Sequence, residues 1–190
     1  MKPCANSNKV FTRQLKSESM TAAQPEIADA LDIVNCAQYF YEIEEGEAYL
    51  CPAEGGAYSH KPCRFFGLYR NKNVESVAEI EAVIDVTEEQ KLDVLIIRAE
   101  ILWTNSPRSA QQHQKAAVER ALRFRPDKLP IRVFILANRT ATDFIKDSSG
   151  GMQTSKMYLD VSSLHAKDAK ELASKLEGKQ WSEFKFYSWK

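Results

Sequence analysis

Residues 64–86 read RFFGLYRNKNVESVAEIEAVIDV, and this stretch decides the fold. Arg64 to Tyr69 is aromatic and strand-forming, Arg70-Asn71-Lys72-Asn73 is polar turn material, and Val74 to Val86 alternates through Val77, Ile80 and the Ala82-Val83-Ile84 run. Aromatic and β-branched side chains suit a pleated, half-buried surface, and a short polar connector containing Asn tolerates the positive φ of a tight hairpin. Two long antiparallel strands are predicted.

Downstream, Leu92 to Trp103 is almost continuously apolar, as a strand covered on both faces or carrying a bulge would be. Ser106-Pro107 supplies an N-cap and a first-turn proline, which predicts a helix running to about Arg125, where Pro126 stops it. Ile131 to Ala137 reads as a further strand, Thr142 to Ser155 as a polar loop, and Met157 to Val161 as a last strand. A final helix opens at Ser163, carries Leu164, Ala169, Leu172, Ala173 and Leu176 at helical spacing, and closes on Gly178. The end, WSEFKFYSW, docks as a strand or a cover.

Upstream, the apolar run Ile27 to Ala37 predicts a short helix. Tyr39, Tyr41 and Ile43 alternate with polar residues, and Ala48-Tyr49-Leu50 follows the Glu45-Gly46-Glu47 turn, which predicts two short strands before Pro52. Glu54 to Ser59, with Gly55-Gly56, is loop chemistry. Residues 1–25 are polar and aperiodic and read as a flexible arm, so residues 26–190 form one domain. Many short antiparallel strands with inserted helices predict an α+β fold. It is a mostly antiparallel curved sheet, or a partly open β-barrel, with two or three packed helices, rather than a doubly wound parallel sheet.

A chain of 190 residues with 44% hydrophobic side chains fills one core, and 26 basic against 26 acidic residues leave no overall field to attract nucleic acid or an anionic membrane. No stretch approaches the roughly 20 apolar residues of a membrane span, and the start lacks the apolar centre of about 7–15 residues found in signal peptides. No membrane partner and a cytoplasmic location are expected. The four cysteines, Cys4, Cys36, Cys51 and Cys63, contain no C-x-x-C pair and read as reduced thiols; the sharper alternative joins Cys51, His60 and Cys63, with Cys36, as a zinc set. No metal and no cofactor is expected.

No P-loop, G-x-G-x-x-G, H-E-x-x-H or G-x-S-x-G motif occurs, so the corresponding chemistries lack support. Glu79, Glu81, Asp85 and Glu100 lie on predicted strands, but none is followed two residues later by the lysine that a metal-dependent nuclease step needs. The loop from Thr142, through Asp143, Lys146, Ser148, Ser149, Gly150 and Gly151 to Lys156, concentrates hydroxyls, lysines and a glycine pair. Such a loop can turn backbone N–H groups onto a phosphate, and it can equally be a solvent-exposed turn. The predicted helix after Pro107 carries Arg108, Lys115, Arg120, Arg123 and Arg125 against Glu119 alone, a candidate phosphate-backbone contact whose commoner meaning is a solvated face. Tyr39, Tyr41, Tyr58, Tyr69 and Trp103 could stack on a base if they line a cleft, whereas Phe65, Phe66, Phe134 and Phe144 belong to the core.

The hairpin over residues 64–84 resembles the PUA-like superfamily, including its ASCH and EVE branches, in which a strand ending near a turn leads into one reading apolar, Ala or Gly, Glu, apolar. The resemblance implies a small PUA-like β-barrel with a groove for RNA, DNA, a modified base or a nucleotide-like ligand. Some ASCH-like proteins are hydrolases using Lys, Thr and Glu, but no spacing fixes Lys72, Thr104 and Glu79 in those roles. The expected function is a binding module for nucleic acid or a nucleotide-like small molecule. The ligand is placed among Tyr41, Tyr69, Arg70, Lys72, Trp103 and the Thr142–Lys156 loop, with Arg108, Lys115, Arg120 and Arg123 alongside. A nucleic-acid- or nucleoside-processing enzyme using Lys72, Lys146 or Lys156 beside the carboxylates, and a small phage or mobile-element inhibitor, are the alternatives.

Overall fold

The computed structural model describes residues 13–17, 24–36, 40–55, 58–91 and 94–189. The described residues form an α+β fold in which one curved, mostly antiparallel sheet of eight strands carries three α-helices. Its spine is the predicted hairpin. Strand β4 (Cys63–Arg70) turns at Asn71 (φ 54°) and Lys72 (φ 62°) into β5 (Asn73–Lys91), and two successive positive φ values make the connection a type I′ turn that matches the strand twist.

β5 runs to Lys91, beyond the predicted end at Val86, and is long enough to serve two neighbours on one edge. Its first part pairs β4 from Asn73 to Glu79, and its second part pairs β6 (Val94–Thr104) from Ala82 to Lys91. β7 (Ile131–Ile145) follows the opposite edge from Val86 back to Asn73. Bulges at Val74/Ser76, Val77/Glu79 and Ile80/Ala82 bend this long pair. The remaining strands extend from it: β2 (Ala28–Asn35) lies parallel to β4 and antiparallel to β8 (Lys156–Asp160), β3 (Ala48–Pro52) lies antiparallel to β7, and β1 (Arg13–Ser17) lies parallel to β6.

The curvature separates the core into an inner and an outer side. Ala78, Ile80 and Val83 of β5 point into a cluster with Tyr49, Phe66, Trp103 and Phe134, while Val74 and Val77 face a second cluster and Ala82, Ile84 and Val86 a third. Helix α3 (Ala169–Leu176) covers the second through Leu172, Ala173 and Leu176. Helix α2 (Ala110–Phe124) covers the third, where the small side chains of Ala117 and Ala121 let it lie close to the sheet. Phe65, Phe66, Phe134 and Phe144 are fully buried, as expected.

Several elements differ from their sequence reading. Over its described part, Ile27 to Cys36, the apolar run is not a helix, because it supplies both faces of a strand, β2, buried between β4 and β8, and Ala37 lies outside the described residues. The Tyr41–Ile43 alternation is not a strand: Phe40–Gly46 is helix α1, with Ile43 inward and Tyr41 outward. Ser109 rather than Ser106 caps α2, through a reciprocal Ser109–Gln112 capping box. Thr142 and Asp143 belong to β7, so the polar loop begins only at Lys146. The final helix likewise starts at Ala169, capped by Asp168, after a 3-10 turn at Ser162–Leu164. Cys4, Tyr39, Gly56 and Leu92 lie outside the described residues.

Candidate functional site

A cleft of about 560 Å³ opens where α1 and β3 face the C-terminal end of α2. Local sequence builds both walls. Glu47, at φ 48°, reverses the chain between α1 and β3, and Gly46 leaves room for the Phe124 ring, which a Cβ there would strike. Arg120 Nε donates to the Gly46 carbonyl at 2.6 Å and ties the two helices together. After α2, Arg125 turns back to α1 and holds Glu42 through two parallel hydrogen bonds, Nε at 2.6 Å and Nη2 at 2.8 Å. Their side chains are only 13% and 10% exposed, so this donor–acceptor pair forms a sheltered part of the cleft wall. Tyr49, Tyr58 and Phe124 give the lining its aromatic character. Outside, Tyr41 stands edge-on to Phe124 at 5.8 Å and is 59% exposed.

Behind Tyr49 lies a second polar feature. The Asp32 carboxylate is fully buried, and its Oδ2 lies 2.5 Å from His60 Nδ1. Edge-on contacts of the imidazole with Phe134 and Tyr49 fix it in the inner core. Burial, then the charge of Asp32, pushes the Tyr158 hydroxyl up, and that oxygen accepts a hydrogen bond from Lys61 N. Burial also pushes the thiols of Cys36, Cys51 and Cys63 up, Cys51 to about 12. These are neutral, packed cysteines. No group of three or more His, Cys, Asp or Glu side chains among the described residues is arranged to hold a metal, and the Cys51–His60–Cys63 zinc set has no support.

The hairpin turn and the glycine-containing loop do meet: Lys146 N donates to the Lys72 carbonyl at 2.8 Å, and Met152 N donates to the Tyr69 hydroxyl at 3.1 Å. The loop folds around a cation of its own. Lys146 Nζ donates to the Ser148 hydroxyl, the Ser148 carbonyl and the Gly150 carbonyl, so these oxygens point inward at an ammonium that is itself buried. Ser148, Ser149, Gly150 and Gly151 are exposed on the other side. Tyr69 packs on Trp181 in the second cluster, and Trp103 belongs to the inner one, so the two share no cavity wall.

The remaining candidates hold the fold together. Thr142 Oγ1 donates to the Ala173 carbonyl of α3, Asp143 accepts from Asn73, and Arg70 grips Glu75 while lying 4.2 Å over Phe40. Lys156 opens β8 half-buried, where desolvation pulls its ammonium down against the opposing charge of Asp32.

The basic helix face is matched by acids from neighbouring elements and by Glu119 of α2 itself. Arg108 pairs with Glu81 at 3.0 Å, Arg123 with Glu45 at 3.1 Å, and Lys115 with Glu119 at 3.9 Å. Three of the carboxylates weighed for catalysis are similarly engaged on different parts of the sheet: Glu81 pairs with Arg108, Glu79 accepts from Ala169 N at the start of α3, and Asp85 holds Arg132, while Glu100 is exposed. Sequence reading missed Glu42, Arg125 and Phe124 as cleft residues. Glu42 lies on α1 and Arg125 just after α2, so no local spacing announces their meeting. Comparison with known proteins adds no relative: no family model, no curated protein and no solved structure matches this chain.

Proposed function

We propose that the protein is a binding module for a nucleotide-like ligand, and that the ligand's planar ring enters the cleft between α1, β3 and the end of α2. The observation that carries this reading is an aromatic-lined cleft of about 560 Å³ with a sheltered carboxylate–guanidinium pair on its wall. Small-molecule sites fall in roughly the 300–1,000 Å³ range and combine apolar walls with a few placed polar groups. Tyr58 and Phe124, both only partly buried, offer ring surface, Glu42 offers acceptor lone pairs beyond those used by Arg125, and Lys128 stands at the rim. The cleft lies at the C-terminal end of the basic helix, and none of the residues among which the sequence reading placed the ligand lines it. The hairpin's resemblance to PUA-like domains points to the same ligand class.

Titration calorimetry with nucleobases, nucleosides, mononucleotides and short single-stranded oligonucleotides at low salt tests the reading. Ring-bearing ligands bind, and Tyr58→Ala weakens them about tenfold, in line with a stacking contact of about 1–3 kcal/mol. Undetectable binding of every member of the panel overturns it.

A further inference from the structure

The charges around this cleft select among nucleotide-like ligands. Its lining holds two acids, Glu42 and Asp127, and two bases, Arg125 and Lys128, so its formal charge is zero. One member of each sign is already spent in the bidentate Glu42–Arg125 pair. The nearest part of α2 is its C-terminal end, where the last carbonyls carry the negative pole of the helix and disfavour a bound anion. From α1, only Glu42 lines the cleft; Glu44 and Glu45 stand on the outer face of the helix, outside the lining. The cations that would otherwise draw a phosphate along α2 have partners: Arg123 with Glu45, Arg108 with Glu81, and Arg120 with the Gly46 carbonyl. What the cleft offers instead is ring surface from Tyr58 and Phe124 and one sheltered donor–acceptor pair.

We infer that the cleft recognises an uncharged nucleobase or nucleoside, through stacking and the hydrogen-bonding edge of its ring, and that a phosphate adds nothing to its binding. This rests on the cleft being the ligand site. It extends that reading by assigning the affinity to the neutral part of the ligand. Glu42 accepts an N–H of the base, Arg125 fixes the carboxylate in place, and the sugar points to the open mouth.

The test measures adenosine, guanosine, cytidine and uridine against their 5′-monophosphates, each across a salt series, by calorimetry on the full chain. The best-bound nucleoside and its monophosphate are expected to agree within about threefold, with a plot of log affinity against log salt close to flat. A protein gripping phosphate shows instead an affinity for the monophosphate, and not for the nucleoside, that falls as added salt screens the contact. A monophosphate bound more than about tenfold tighter than its nucleoside, with steep salt dependence, overturns the inference and leaves the cleft reading standing. Absence of binding by both members of every pair overturns the two together. Asp127→Asn gives the cleft one net positive charge while its exposed side chain leaves the core untouched, and it is expected to shift preference toward the monophosphate by about threefold. An unchanged preference in that variant overturns the electrostatic basis of the inference.

Discussion

Asp32 and His60 are bound to each other in the interior of the curved sheet, the carboxylate oxygen Oδ2 lying 2.5 Å from the imidazole Nδ1, with both side chains almost wholly hidden from solvent. Removing one member of a buried pair leaves the other desolvated and unpaired, which costs about 3–5 kcal/mol, whereas replacing both by apolar groups is often close to neutral. His60→Leu is therefore expected to lose about 3–5 kcal/mol in urea unfolding. Asp32→Leu/His60→Leu should recover most of that loss. Equal destabilisation of the single and double variants would show that packing, and not the pair, sets the cost.

A second prediction concerns the hinge of the cleft. A Cβ at Gly46 would overlap the Phe124 ring, and the glycine itself is not in the left-handed region, so the demand is steric and not conformational. Gly46→Ala is expected to cost about 1–3 kcal/mol by overpacking. Phe124→Leu introduced beside it should return part of the loss. A double variant no more stable than Gly46→Ala alone would place the strain elsewhere.

These two sites mark how far the sequence is readable. The hairpin was legible because its signals are local: aromatic and β-branched alternation on both sides of a polar turn need no partner to be recognised. β2 and α1 were misread for the opposite reason. The run from Ala28 to Asn35 is apolar on both faces because two strands and two core clusters surround it, a condition set by residues as distant as β8. In α1, the Tyr41–Ile43 alternation resembles a strand over so short a length, and its seven residues hold too few turns for helical periodicity to declare itself. The cleft was less legible still. Glu42 meets Arg125 only after β3, β5 and β7 have brought α1 against the end of α2, and the basic run on α2 looked unopposed because Glu42, Glu45 and Glu81 reach it from other elements.

The hairpin turn itself yields a stabilising substitution. Lys72 sits at φ 62° and is exposed, so its side chain packs on nothing that the turn requires, while a left-handed backbone costs an ordinary residue about 1 kcal/mol or more. Glycine adopts that conformation freely, and Asn-Gly is the favoured type I′ pair. Lys72→Gly is expected to raise stability by about 0.5–1 kcal/mol, the gain being limited by the added freedom of glycine in the unfolded chain. Thermal unfolding at neutral pH reads the change, and a lowered midpoint would contradict it.

The buried thiols set the alkaline limit of the fold. Burial raises Cys36, Cys51 and Cys63 above the ordinary thiol value of 9.0, Cys51 to about 12, so the folded state keeps protons that the unfolded chain releases as pH climbs past 9. Unfolding then releases protons, and stability falls with rising pH. The contribution of Cys51 is complete below pH 9 and is lost progressively between about 9 and 12. Its limiting slope is about 1.4 kcal/mol per pH unit. Cys51→Ala removes one such proton and is expected to flatten the decline above pH 9 by up to that amount relative to the parent chain. In a Cys4→Ser background, the same burial leaves the three thiols unreactive toward a disulfide reagent at pH 8 until urea unfolds the protein, when all three titrate together. Rapid labelling of any of them in the native state, or identical alkaline slopes for the parent and Cys51→Ala, would contradict the placement of these thiols in the inner core.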